Sequence, residues 1–235
     1  MEKQNLFKWK HYQPDLILLT VRWYLRYNLS FRDLVEMIEE RGLSIAHTTI
    51  MRWVHQYGPE LDKRVRPYLK TTNDSLRVDE TYVKVKGRWM YLYRAVDSEG
   101  NTIDFYLSKT RNKQADKRFF KKVLAFSHVS KPRVITVDKN SAYPIAIQEL
   151  KEEKQMPEGI QLRQVKYLNN IVEQDHRFIK KRIRPMLGLK SLRTAKRIIA
   201  GIEAMHMIKK GQTLQREKSV QNQKEFIHQL FGLIA

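Results

Sequence analysis

Three acidic residues stand where free carboxylates are uncommon. Asp79 lies in a β-favouring stretch between Val78 and Thr81-Tyr82, Asp138 follows the apolar run Arg133–Val137, and Glu173 falls in a helical pattern. The carboxyl end of a buried strand is where α/β sheets present groups to ligands. Three carboxylates brought into one dry pocket repel one another unless a cation neutralises them or some take up protons. Oxygen-only donors suit hard cations, so the expected cofactor is Mg²⁺ or Mn²⁺, two ions in number. Such a pair, ~3.5–4 Å apart, can activate water or a 3′-hydroxyl and stabilise the departing oxygen of a phosphoryl displacement. The chain has no Cys, which removes thiol nucleophiles, disulfides and thiolate zinc sites, and no H-E-x-x-H stretch. Each carboxylate also has an ordinary explanation: a strand-edge charge at Asp79, a helix N-cap at Asp138, a solvent-facing helical residue at Glu173. On spacing alone both readings stand.

The surroundings of Glu173 favour chemistry on a polyanion. Helical spacing places Asn169, His176 and Lys180 on the face that carries Glu173, so Lys180 can hold a phosphate beside the metals. From His176 to Ile202 there is no acidic residue, whereas Arg177, Lys180, Lys181, Arg182, Arg184, Lys190, Arg193, Lys196 and Arg197 are all basic. The formal net charge is +20, and residues 166–235, with 15 Lys and Arg against 5 Asp and Glu, hold half of it. Nucleic acid, bound with release of counterions, is the partner that such a surface fits. A solubilising surface or attraction to anionic lipid is the plainer reading of charge alone.

The elements that must position these groups follow from periodicity. Residues 14–57 predict three helices, beginning at Pro14, after a Ser30/Asp33 capping signal, and at Thr48. Gly42 is placed to end the second in a left-handed turn, and Gly58-Pro59 to stop the third. Ile50, Trp53, Val54 and Tyr57 then form a buried stripe, which leaves Thr48, Thr49, Arg52 and His55 toward solvent. Two helices joined by a tight turn, with such groups on the second, describe a helix-turn-helix that meets DNA; a bundle with no ligand is the alternative. From Leu76 the period becomes two, predicting a three-stranded antiparallel meander turned at Lys86-Gly87 and at Asp97–Gly100. A helix, the apolar strand at 133–137, a helix, a short strand near 160–165 and two more helices complete the pattern. Asp97 reads as a turn residue, Asp104 as a strand-face charge, and Trp89 and Tyr91 as core rather than base-stacking groups.

The resulting order predicts an α/β ribonuclease-H-like, integrase-like catalytic core preceded by a small all-α helix-turn-helix domain. The expected bounds are 1–66 for the DNA-binding domain, 67–75 for a connector, 76–211 for the catalytic domain and 212–235 for a tail without assigned role. No apolar run is long enough to cross a bilayer, and Glu2, Lys3, Lys8 and Lys10 have no apolar stretch behind them, unlike a secretory signal. Membrane association is therefore not expected, and the lack of Cys fits a reducing cytoplasm.

At these motifs the sequence resembles the bacterial DDE transposases of the insertion-sequence-six family, which mobilise resistance genes by forming cointegrates. The matching segments are 20–34, 47–57, 78–100, 137–143, 165–182 and 191–205, and the 34 residues between Asp138 and Glu173 are similar to the family's spacing. The resemblance implies Asp79, Asp138 and Glu173 as the catalytic metal ligands and Lys180 as the basic position seven residues on. It implies that the helix-turn-helix recognises terminal inverted repeats, that target DNA is the second substrate, and that a homodimer or higher oligomer joins two ends in the cytoplasm, on the nucleoid. No small-molecule substrate is expected. Asn140-Ser141 stands where relatives more often carry Ala-Pro, and the stretch after Gln212 matches least. A structure-specific nuclease or junction resolvase explains the carboxylates equally well and the helix-turn-helix less well. A non-enzymatic DNA-binding regulator explains the helices alone.

Overall fold

A computed structural model describes residues 6–125, 132–165, 170–184, 186, 189–214 and 219–233, with residues 170–174 described by their backbone. The chain divides into two compact units, one of Met1–Leu69, Arg182–Leu187 and Arg193–Ala235, the other of Lys70–Lys181 and Gly188–Leu192.

The second unit is built on a five-stranded sheet. β1 (Ser75–Val85), β2 (Arg88–Asp97) and β3 (Thr102–Ser108) form the expected meander, and β4 (Val134–Val137) and β5 (Gln161–Gln164) extend it in the order β3-β2-β1-β4-β5. β2 is antiparallel to both neighbours, whereas β1, β4 and β5 run parallel. Lys86 and Gly87, at φ 48° and 77°, make the two-residue turn whose twist suits a hairpin. α4 (Lys113–Leu124) and α5 (Ala142–Glu152) return the chain between parallel strands, as parallel pairing requires. Their apolar sides, with Phe119, Phe120, Tyr143 and Ile147, bury Leu76, Val78, Tyr93, Ala95, Ile135 and Val137. β4 is buried at all four positions, which explains why only Thr136 interrupts its apolar sequence. Strand order, mixed direction and covering helices fit the ribonuclease-H-like architecture. α6 (Asn170–Ile183) follows β5.

The first unit is helical: α1 (Pro14–Arg26), α2 (Phe31–Glu39), α3 (His47–Val65), α7 (Leu192–Lys210) and α8 (Val220–Leu230). Ser30 caps α2 in a reciprocal box, its N–H donating to Asp33 at 2.7 Å. Gly42 closes α2 at φ 75°, with the Leu43 N–H donating to Ile38 O. Between α2 and α3 lie residues 40–46, so the connection is longer than the expected tight turn.

One expectation is corrected here. Gly58-Pro59 does not stop α3, which runs on to Val65 with Pro59 inside it. Pro59 removes one backbone bond, but the continuation buries Leu61 and Val65. Gly58 serves a helix crossing instead. A Cβ on Gly201 of α7 would stand 2.9 Å from the Gly58 Cα and 2.8 Å from Leu25, and no real Cβ approaches so closely. α7 groups by its contacts with the helical unit, and its Ile198, Ile202 and Met205 are buried. In the stretch after 212, Ser219 caps α8, which buries Phe226, Ile227 and Leu230.

Candidate metal centre

The parallel register sets the first two carboxylates side by side. β1 pairs with β4 from Ser75↔Val134 to Arg77↔Thr136, and the same offset carried two residues further sets Asp138 beside Asp79. β4 ends at Val137, so beyond it this edge of β1 has no strand alongside until Leu189 meets Val85, among the described residues. Side chains from both faces of β1 can converge at that gap. Asp79, Glu80 and Asp138 each offer a carboxylate oxygen, and these oxygens lie within 4.8 Å of one another. Asp138 is not the N-cap of the next helix, a position held by Ser141. One of its oxygens accepts the Asn140 N–H at 3.0 Å.

Glu80 was not foreseen, because strand alternation assigns it to the face opposite Asp79. It points toward α4 and α5, where the Tyr143 hydroxyl donates to it and the Arg111 guanidinium pairs with it. Arg111 also reaches Asp138 at 3.4 Å. Burial pushes the Glu80 carboxyl up to about 7, the Tyr143 bond and Arg111 oppose the shift, and Asp138 and Asp79 add to it. Nearby, Asp116 is fully buried, and desolvation raises it to about 6, with Arg111 pulling the other way. A guanidinium wedged among these carboxylates shows the charge the site demands. Three clustered oxygen donors fit a hard divalent cation.

α6 covers the face that carries Asp79. Its His176 is buried with Nε2 3.4 Å from an Asp79 oxygen. One residue earlier, Asp175 pairs at 2.7 Å with Arg94, whose cation stands 4.9 Å from the centre of the Phe178 ring. Arg94 is the register partner of Asp79 on β2 and is fully buried. The period-two pattern alone does not point to this pair, because Arg94 and Asp175 lie 81 residues apart. Glu173 lies on α6, but its side chain falls outside the described residues, as does Asn169 altogether.

The basic residues divide. Arg177, Lys180, Lys181 and Arg184 are exposed. Arg182 departs from the expected DNA contact: it is buried, with its cation 4.5 Å from the Tyr24 ring centre and Nη2 donating to Leu29 O at 3.4 Å. Desolvation lowers it to about 10, which Tyr24 partly offsets. On α3, Thr48 and Arg52 are exposed, and Thr49 and His55 are half-buried. Burial, then Arg197 and Arg193, hold His55 below its ordinary value, in a cleft that Arg52, Lys63 and Arg197 also line.

Asp97 and Asp104 have the structural roles expected of them. Asp97 accepts the N–H groups of Glu99 and Asn101 at 3.0 and 2.8 Å, and Asp104 pairs with Lys122 at 2.9 Å. Trp89 corrects the reading: it is 63% exposed, and Tyr91 is partly buried.

The DDE domain family matches residues 73–212. The transposase for the insertion sequence-like element IS431mec of Staphylococcus aureus is 37% identical over 206 residues, 88% of this chain and 89% of that protein. The transposase for insertion sequence element IS257 in transposon Tn4003, also of Staphylococcus aureus, is 36% identical over the same length and coverage. Among solved structures, the HTLV-2 integrase catalytic core domain in complex with magnesium aligns with a TM-score of 0.43 and 18% identity, over 56% of this chain and 84% of that one.

Proposed function

The chain belongs to the DDE-domain transposase family of insertion sequences, and from that premise we propose that it cleaves DNA at the ends of a mobile element and joins the freed 3′-ends to target DNA, giving cointegrates. The observation that carries this reading is the convergence of Asp79 and Asp138, from separate strands, within 4.8 Å. Asp79, Asp138 and Glu173 hold two Mg²⁺ or Mn²⁺ ions. When bound, such ions supply an activated water or 3′-hydroxyl and neutralise the departing oxygen.

The chain's own groups do the rest. The His176 ring packs beside Asp79, and α6 is anchored to the sheet through Asp175 and Arg94. Glu173 stands one helical turn before His176, the spacing that supports it as the third ligand. Lys180, Arg177, Lys181 and Arg184, all exposed, grip the DNA backbone. α2 and α3 act as a helix-turn-helix that reads the terminal inverted repeats through Thr48, Thr49, Arg52 and His55. A dimer or larger assembly holds two ends together, acting on the nucleoid in the cytoplasm; no described helix is long and apolar enough to cross a membrane.

The test is Asp79→Asn and Glu173→Gln in a strand-transfer assay with Mg²⁺ and DNA bearing the element's ends. Cleavage and joining are expected to fall by at least about 10³-fold, as when a group needed for the transition state is removed, with repeat binding nearly intact. Full cleavage by either variant refutes the assignment. Cutting without joining by the native chain indicates a nuclease instead.

A further inference from the structure

Beyond the carboxylates lies the outer part of the hairpin of β1 and β2. Its two faces differ. Val83, Val85 and Met90 are buried on one. On the other, the register sets Tyr82 against Tyr91 and Lys84 against Trp89, and Tyr82 and Trp89 are 50% and 63% exposed. The Tyr82 ring lies 6.4 Å from Trp89 and 5.3 Å from Tyr91, and the Lys84 ammonium stands 5.7 Å from the Trp89 centre. Lys86 and Arg88 at the turn are exposed, as is Lys190, next to the Leu189 that accepts the Lys86 N–H at 2.7 Å. No acidic residue occurs from Thr81 to Val96.

We propose that this hairpin face is a stacking platform for an unpaired DNA strand leaving the metal centre. The inference rests on the transposase reading. Exposed aromatic rings with cations between them suit a single strand, because each base offers a π-face and each phosphate a charge. A duplex keeps its base faces covered and leaves the rings without a counterpart. A second copy of the chain is a poor occupant, since a two-fold contact would set Lys84, Lys86 and Arg88 against like charges, and interface cores are depleted in Lys. Position ties the platform to the chemistry. Tyr82 is two residues beyond Glu80 on the same strand face, ~7 Å away at strand rise. Strand cleavage at the carboxylates exposes an end that can fray onto it.

Full-length protein and a fluorescein-labelled oligothymidine, followed by anisotropy over a salt series, provide the test. Trp89→Ala and Tyr82→Ala are each expected to weaken binding about 5- to 100-fold at every salt concentration, with the slope of log affinity against log salt unchanged. Trp89→Phe keeps most of the affinity. Lys84→Ala is expected to reduce the slope by about 0.7, the signature of one lost phosphate contact on a single strand. Matching thermal melts confirm that the variants fold. Unchanged oligothymidine binding in both alanine variants overturns the platform, and so does a shift from dimer to monomer in sedimentation at unchanged DNA affinity. Mg²⁺-dependent cleavage of a terminal-repeat duplex by the native chain, run alongside, separates the two levels. If the native chain does not cut, the transposase reading fails; if it cuts and Trp89 and Tyr82 are dispensable for binding, the platform alone fails.

Discussion

On the face of β1 that carries Asp79, polar groups are held inside the protein: Arg94 pairs with Asp175, and the His176 ring lies beside Asp79 itself. On the face that carries Glu80, the environment grades from buried to open. Asp116 and Tyr143 are fully buried, Arg111 is one-third exposed, and Tyr82 and Trp89 lie in solvent. The first face has one arrangement available, because moving α6 would strip a partner from a buried charge. The second opens to solvent at Tyr82 and Trp89. Rigid support behind one ligand and an accessible approach beside it are what positioned phosphoryl transfer needs.

The largest expected effect breaks the rigid face. Arg94→Ala leaves Asp175 as a buried carboxylate without its cation and is expected to cost about 3–5 kcal/mol in urea unfolding. Replacing both partners, Arg94→Met with Asp175→Leu, is expected to recover most of that loss. A cost under about 1 kcal/mol for the single change would mean that α6 is not held by this pair.

A smaller effect sharpens the contrast on the other face. Burial raises Asp116 from 3.8 to about 6. Its protonated form is favoured in the fold, so its stabilising contribution is complete below about pH 4 and is lost as pH rises through 6. Native protein is expected to lose roughly 2–3 kcal/mol from this group across that window, and Asp116→Asn to lose none of it. Urea melts of the two chains between pH 4 and 7 check this; parallel curves would place Asp116 in contact with water.

The nearness of Asp79 and Asp138 was legible because local rules and topology agree there. An apolar strand ending in Asp138, and a period-two stretch holding Asp79, required only that the two strands be neighbours. Glu80 was hidden because alternation places it on the wrong face, and only the early end of β4 lets it turn in. Trp89 was misread because alternation gives a side chain's face but not how far the covering helices extend. Gly58-Pro59 looked like a stop because the reason for Gly58 lies in Gly201, more than a hundred residues away. Arg182 belonged to a basic run whose members differ in burial, which charge alone does not reveal. The strand and helix order of the sheet unit, by contrast, followed from periodicity at nearly every element.

The central claim is that Asp79, Asp138 and Glu173 share divalent cations. Anomalous scattering from Mn²⁺-soaked crystals measures this directly. Two peaks about 3.5–4 Å apart, bridged by carboxylate oxygens from all three residues, are the expected result. Mn²⁺ bound elsewhere, or held by Asp79 and Asp138 with Glu173 remote even when DNA is present, would contradict it.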